Sequence, residues 1–155
     1  MHALAEHAGA WTGTNQFRLM PTDPFQDSPA TAQVSIAARG NLTTIAYTWS
    51  HPDEGPQEGL LVVAPSDEPN AVVAMWGDSW HQSPAPRVLD GTFDGARVVA
   101  RYEYGDDWWW QITIDATIPD TLSLQMDNIV PESAVPEGAP SGAYAAMLAD
   151  LRRVS

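Results

Sequence analysis

Hydrophobicity in this chain repeats with a period of two, in short runs that end before a helix could form. Ile45, Tyr47 and Trp49 alternate with Thr44, Ala46 and Thr48, and Leu122, Leu124 and Met126 alternate with Thr121, Ser123, Gln125 and Asp127. Val98, Ala100, Tyr102 and Tyr104 alternate with Arg97, Arg101 and Glu103, with Val99 the exception. Successive side chains on a strand point to opposite faces, so this pattern builds a sheet with one buried face. The 11 Gly and 13 Pro are spread through the 155 residues as turn punctuation rather than pooled in a linker. Strands are expected near 9–20, 29–39, 42–50, 57–64, 70–80, 86–93, 96–104, 108–116, 121–129 and 143–154. Asp94-Gly95 is a strong two-residue hairpin signal and Gly40-Asn41 a weaker one.

About ten short strands at steady spacing read as one all-β domain over 1–155, an antiparallel up-and-down barrel. Closure removes the edges that a flat sheet would leave exposed. In the last segment Tyr144, Met147, Leu148 and Leu151 also fit a helical stripe. We read it as a closing strand, because an open meander would leave the first strand without a partner. The stretch 131–142 has turn composition and no period, and is expected to be a mobile loop.

Charge narrows the partners. There are 20 acidic residues against 7 basic ones, all Arg, for a net charge of −13. Such a surface repels phosphate backbones and anionic lipid heads, which argues against nucleic-acid and membrane-surface binding. With no cysteine there is no disulfide, thiolate nucleophile or thiolate metal site. The first thirteen residues lack the basic and apolar regions of a secretory leader, so the expectation is a soluble cytoplasmic protein.

The segment Gly9-Ala10-Trp11-Thr12-Gly13 resembles the Gly-x-Trp opening of calycin barrels, the group of lipocalins, fatty-acid-binding proteins and nitrobindins. Gly13, Arg18, Pro21, the run Trp76-Gly77-Asp78-Ser79-Trp80-His81-Gln82, Asp127-Asn128-Ile129-Val130-Pro131 and Arg152-Arg153 are similar to an uncharacterised bacterial family of lipocalin-like proteins. This resemblance runs over essentially the whole chain. It implies that Trp11 lies across the closed end of a barrel under Arg153, or under Arg152 if the register slips by one. It also implies an internal cavity that takes a small, largely apolar molecule through one open end. Nitrobindin-like barrels bind haem through a late-strand histidine; here no histidine follows His81, so only His81, from another strand, could take that part.

On the residues themselves, the Trp11 face carried forward puts Gly13, Asn15, Phe17 and Leu19 inside, with Tyr47, Trp49, Tyr102, Tyr104, Trp108, Trp110 and Asn128 from other strands. An aromatic lining with a few polar groups is the chemistry of a ligand pocket. The same rings could equally fill a small barrel. Trp76, Asp78 and Trp80 share one strand face; Met75, Gly77, Ser79 and His81 share the other. A carboxylate between two inward indoles would have its pKa raised by burial, which makes Asp78 a candidate general base or ligand anchor. Alternatively Asp78 starts a turn and caps backbone amides. Asn15, Asp78, His81 and Asn128 are the polar candidates for orienting a ligand, with Arg18 reaching it from the rim.

Other chemistries find no support in the spacing. His2, His7 and His51 sit in the terminal arm or a loop, and no two-histidine metal pattern occurs. Ser79, Ser83 and Ser141 lack a nucleophile elbow, and no phosphate-binding glycine loop exists. Trp109, on the opposite face from Trp108 and Trp110, is either an exposed contact surface or one half of an outer cross-strand pair. The reading is binding of a small hydrophobic or amphipathic molecule in the barrel. The alternatives are proton-transfer catalysis by Asp78 or His81 (an isomerase, lyase or cyclase), an interaction barrel that forms a homodimer or partner complex, and a haem binder.

Overall fold

The computed structural model describes residues 4–135, 137–138 and 142–155. Ten antiparallel strands form one closed barrel: β1 (Gly9–Phe17), β2 (Gln26–Ala37), β3 (Leu42–His51), β4 (Gly55–Pro65), β5 (Ala71–Asp78), β6 (Gln82–Asp94), β7 (Arg97–Gly105), β8 (Trp108–Asp115), β9 (Thr121–Val130) and β10 (Gly142–Arg153). Each strand pairs with its neighbours in sequence, and β10 closes the wall against β1. The only helical pieces among the described residues are single 3-10 turns such as Glu132–Ala134. None is long and apolar enough to cross a membrane.

The final segment is therefore a strand. Leu151, Ala149 and Met147 point inward and the ladder runs from Trp11↔Arg153 to Phe17↔Met147. Seven ladder positions on β1 would go unpaired if it were a helix, and that backbone cost outweighs the helical preference of its alanines. The two-residue turns fall where glycine and aspartate tolerate positive φ: Gly95 (φ 64) between paired Asp94 and Arg97, and Asp106 (φ 51) with Asp107 (φ 64) between Gly105 and Trp108.

The barrel has two unlike ends. At the base, Trp11 is buried, donates its indole N–H to the His7 carbonyl at 3.1 Å, and lies under the Arg153 guanidinium, 4.6 Å from ring centre to Cζ. Arg153 also donates to the carbonyls of Ala8 (2.8 Å) and Glu6 (3.1 Å) and sits 3.3 Å from Asp120. Ile45, Leu61, Leu89, Ile112, Leu122 and Leu151 are fully buried in the barrel interior. At Gly13 the β10 backbone comes so close that a Cβ would lie 2.0 Å from the Asp150 carbonyl oxygen. The β10 backbone leaves no room for a side chain there, so only glycine fits.

The other end is the mouth, ringed by the β1–β2, β3–β4, β5–β6, β7–β8 and β9–β10 connections. The three ladder irregularities that involve β5–β6, β7–β8 and β9–β10 lie in this half, at Trp76/Asp78, Glu103/Gly105 and Ala145/Met147. Bulges at a barrel rim turn side chains off the regular alternation, and several inward expectations fail for that reason. β1 stops at Phe17 rather than 20, so Leu19 is 59% exposed. Tyr104 is 47% exposed and Trp108 packs on it rather than in the interior. Trp109 lies outside, half-buried under Arg101 at 4.6 Å. β6 begins at Gln82, ahead of Pro86. In the β9–β10 connection, residues 136 and 139–141, Ser141 among them, lie outside the described residues, as does His2.

The base stack makes a measurable contribution. Arg153→Ala removes the indole cover and two charge-assisted hydrogen bonds, and is expected to lower unfolding free energy by about 1–3 kcal/mol in urea titration. Arg152→Ala, whose side chain is exposed, is expected to change it by less than about 0.5 kcal/mol.

Candidate functional site

The site is built on a three-strand relay. In the ladder Tyr47 on β3 is opposite Gly59 on β4, and Gly59 is opposite Asp78 on β5. Because Gly59 has no side chain, the Tyr47 ring crosses β4 in the space a Cβ would occupy; such a Cβ would lie 2.1 Å from the ring. The Tyr47 hydroxyl then donates to Asp78 Oδ2 at 2.7 Å and accepts from Trp76 Nε1 at 2.9 Å. Trp49 Nε1 adds a longer bond to Oδ2, at 3.3 Å.

The other carboxylate oxygen shapes the chain. Asp78 Oδ1 accepts the backbone N–H groups of Trp80 (2.8 Å) and His81 (2.7 Å), an aspartate-initiated turn that ends β5. Both sequence readings of Asp78 thus hold in the one residue: it is inward, 4% exposed, and it caps a turn. The expected rise in its pKa is overturned. Burial is the largest single influence and pushes the carboxyl up, but the His81 ring, the Tyr47 hydroxyl and the His81 amide together outweigh it and hold it below its ordinary value. Burial, followed by the Asp78 charge, pushes the Tyr47 hydroxyl well up, so Tyr47 remains a donor. Both Asp78 carboxylate oxygens thus accept hydrogen bonds, Oδ2 from Tyr47 and Trp49 and Oδ1 from the Trp80 and His81 amides.

The turn also reverses His81. Strict alternation places it opposite Trp76, on the outer face; instead its side chain is 4% exposed and lies inside. Nδ1 comes within 3.3 Å of Asp78 Oδ1, in ion-pair reach but off hydrogen-bond alignment. The ring is surrounded by Trp49 (4.9 Å between centres), Trp80 (5.0 Å), Trp110 (5.4 Å), Phe17 (5.9 Å) and Trp76 (6.5 Å). Trp76 stacks on Trp110 at 5.7 Å and 10°, fixing that indole from behind. Trp80, past the end of β5, is half-buried: it stacks on His51 at 4.7 Å and donates to Glu54 at 3.1 Å.

Beside this cluster is a small void of about 170 Å³, lined by Phe17, Arg18, Leu19, Trp80, His81, Trp110, Asn128, Tyr144 and Ala146. Two of its lining side chains carry buried nitrogens with no protein partner, His81 Nε2 and Trp110 Nε1. One inward position below Phe17, the fully buried Asn15 has neither amide atom paired. The rim is satisfied. Tyr104 donates to Asn128, Asn128 to Tyr144, and Tyr144 to the Leu19 carbonyl, at 2.6, 3.1 and 3.0 Å. Arg18 donates to the carbonyls of Ala145 (2.8 Å) and Pro21 (3.0 Å) with its guanidinium over Phe25. Tyr102 donates to Gln82 at 3.0 Å.

Of the residues singled out from sequence, Phe17, Arg18, Leu19, Trp80, His81, Trp110 and Asn128 border the void, Leu19 from its exposed side. Tyr47, Trp49, Trp76 and Asp78 form the layer behind His81, Asn15 lies below Phe17, and Tyr102 stands to one side, 6.4 Å from Trp76. Sequence reasoning missed Gly59, His51, Tyr144 and Ala146. For Gly59 the only local signal was a glycine inside a strand, which marks a close approach without naming its partner. A larger concavity, about 860 Å³, lies on the outer wall across β1–β5, over Thr12, Thr31, Ala46, Thr48 and Leu60. It is shallow, and none of the unpartnered buried polar atoms among the described residues belongs to its lining. No group of three or more potential metal ligands occurs among the described residues. No protein-family model matches the chain, and no curated protein matches it either.

The carboxylate's lowered pKa sets a pH dependence. The ionised Asp78 stabilises the fold above its unfolded value of about 3.9, and this contribution is lost as pH falls through the lower folded value. Asp78→Asn is expected to melt well below the wild type at pH 7, with the gap narrowing below about pH 4. Thermal melts of both proteins from pH 7 to pH 3 check this; a gap that stays constant contradicts it.

Proposed function

We propose that the barrel binds a compact amphipathic small molecule in the mouth cavity. The observation that carries this reading is the pair of buried, unpartnered nitrogens on His81 and Trp110, both on side chains that border the void. A buried polar group without a partner costs about 1–3 kcal/mol, and a ligand that supplies the partner recovers it. The surrounding rings provide apolar contact, and Trp76 behind Trp110 holds one wall rigid. The volume supports a small occupant: an apolar protein cavity of about 150 Å³ takes benzene. A porphyrin is far larger than this void, which favours a compact ligand over haem. The net charge of −13 supports a partner other than nucleic acid or an anionic membrane.

Native mass spectrometry of the full chain from its own cells, with indole N–H spectra, tests the reading. A co-purified small molecule, or a compact ring compound that shifts the Trp110 N–H signal, is the expected result. Ala146→Leu, which fills the void from β10, is expected to abolish that shift while changing the melting temperature by only a few degrees.

A second reading rests on the Asp78–His81 pair. A carboxylate behind one ring nitrogen leaves the other free to accept a proton, and Trp110 N–H could polarise a carbonyl oxygen. This supports abstraction of a proton beside a carbonyl, the first step of an isomerase or lyase. It is tested by incubating cyclopentanone with the protein in D2O. Exchange faster with wild type than with His81→Gln is the expected result, and equal rates count against it.

A further inference from the structure

We infer that the cavity is built for a small neutral ring compound carrying one N–H or O–H donor and one neighbouring acceptor, of the cyclic-amide or phenol class. The inference rests on the reading of the mouth as a binding site and names what that site selects.

The argument runs from three features. The first is shape: Phe17, Trp80, Trp110 and His81 present rings to a void of about 170 Å³, so a flat occupant gains the most contact. The second is the hydrogen-bonding code. Trp110 Nε1–H can only donate, so it requires an acceptor on the ligand. His81 Nδ1 faces Asp78 Oδ1 at 3.3 Å, where a lone pair would be repelled by the anion; in the uncharged ring the proton therefore sits on Nδ1 and Nε2 presents a lone pair. In that uncharged form the nitrogen requires a donor. The ring centres of His81 and Trp110 are 5.4 Å apart, so one small molecule can meet both. The third is charge. The buried Asp78 carboxylate stands directly behind His81 and opposes a second anion in the void. Arg18 spends Nε and Nη1 on backbone carbonyls and lies over Phe25, which keeps its charge at the rim.

Neither alternative class meets these demands. A pure hydrocarbon fills the space but leaves both nitrogens unpaired. A carboxylate answers Trp110 but offers His81 no donor.

The test uses the full-length protein with 2-pyridone, benzene and benzoate, followed by the Trp110 indole N–H and the His81 ring nitrogen signals. 2-Pyridone is expected to bind at least tenfold more tightly than benzene and to shift both sets of signals, with benzoate the weakest. His81→Phe is expected to retain benzene and bring 2-pyridone down to the benzene level; if that variant does not fold, Trp110→Phe removes the donor alone and should do the same. Equal affinity for 2-pyridone and benzene overturns the inferred class while leaving a binding cavity. Preference for benzoate also overturns it, in favour of an anion site organised by Arg18. If no probe enters, benzene included, the binding reading falls with it.

Discussion

The missing side chain at Gly59 is the constraint on which the mouth of this barrel depends. Three adjacent strands present Tyr47, Gly59 and Asp78 in line, and a tyrosine can hydrogen-bond two strands away only if the strand between leaves its face empty. That bond, with Trp49 Nε1, occupies one carboxylate oxygen and frees the other to cap the turn at 79–81. The turn in turn carries His81 inward against the alternation of β5. Each step is local, but the sequence of steps spans three strands.

The two ends of the barrel differ. At the base the guanidinium of Arg153 closes the apolar layer over Trp11 with both charge and hydrogen bonds satisfied, and one buried polar atom there, His7 Nδ1, lacks a partner. At the mouth, aromatic rings are packed just as closely, yet polar atoms on Asn15, His81 and Trp110 are left unpaired. Proteins rarely leave such groups buried and unmet, because each costs about as much as a hydrogen bond contributes. Most of the unpaired buried atoms among the described residues lie at or just below the mouth, on Asn15, His81 and Trp110.

Much of the architecture was legible in one dimension. Alternation in β3, β7 and β9 identified the inner face, glycine and proline marked the turns, and the need to pair β1 decided that 142–153 is a strand. The Trp11–Arg153 stack was legible from the resemblance and then fixed to Arg153 by register. Errors gathered at the mouth, where Leu19 and Tyr104 were assigned inward and found exposed. There the strands end and bulge, and a period of two no longer predicts direction.

The candidate site divides along the same line. The Trp76–Gln82 run was recognisable as unusual because a carboxylate among indoles needs an explanation wherever it lies, and that followed from composition alone. Its pKa direction was not legible, since burial and donor count act oppositely and the donors come from β3 and from the turn itself. The sequence by itself determined an all-β chain with a period-two inner face and an acidic surface, because these depend on neighbours along the chain and on composition, while the Trp11–Arg153 cap came from the resemblance. Only the tertiary structure decided that His81 turns inward, that Gly59 makes room for Tyr47, and that Trp110 and His81 meet at one void. Those outcomes depend on register and bulges between strands, which adjacent residues do not encode.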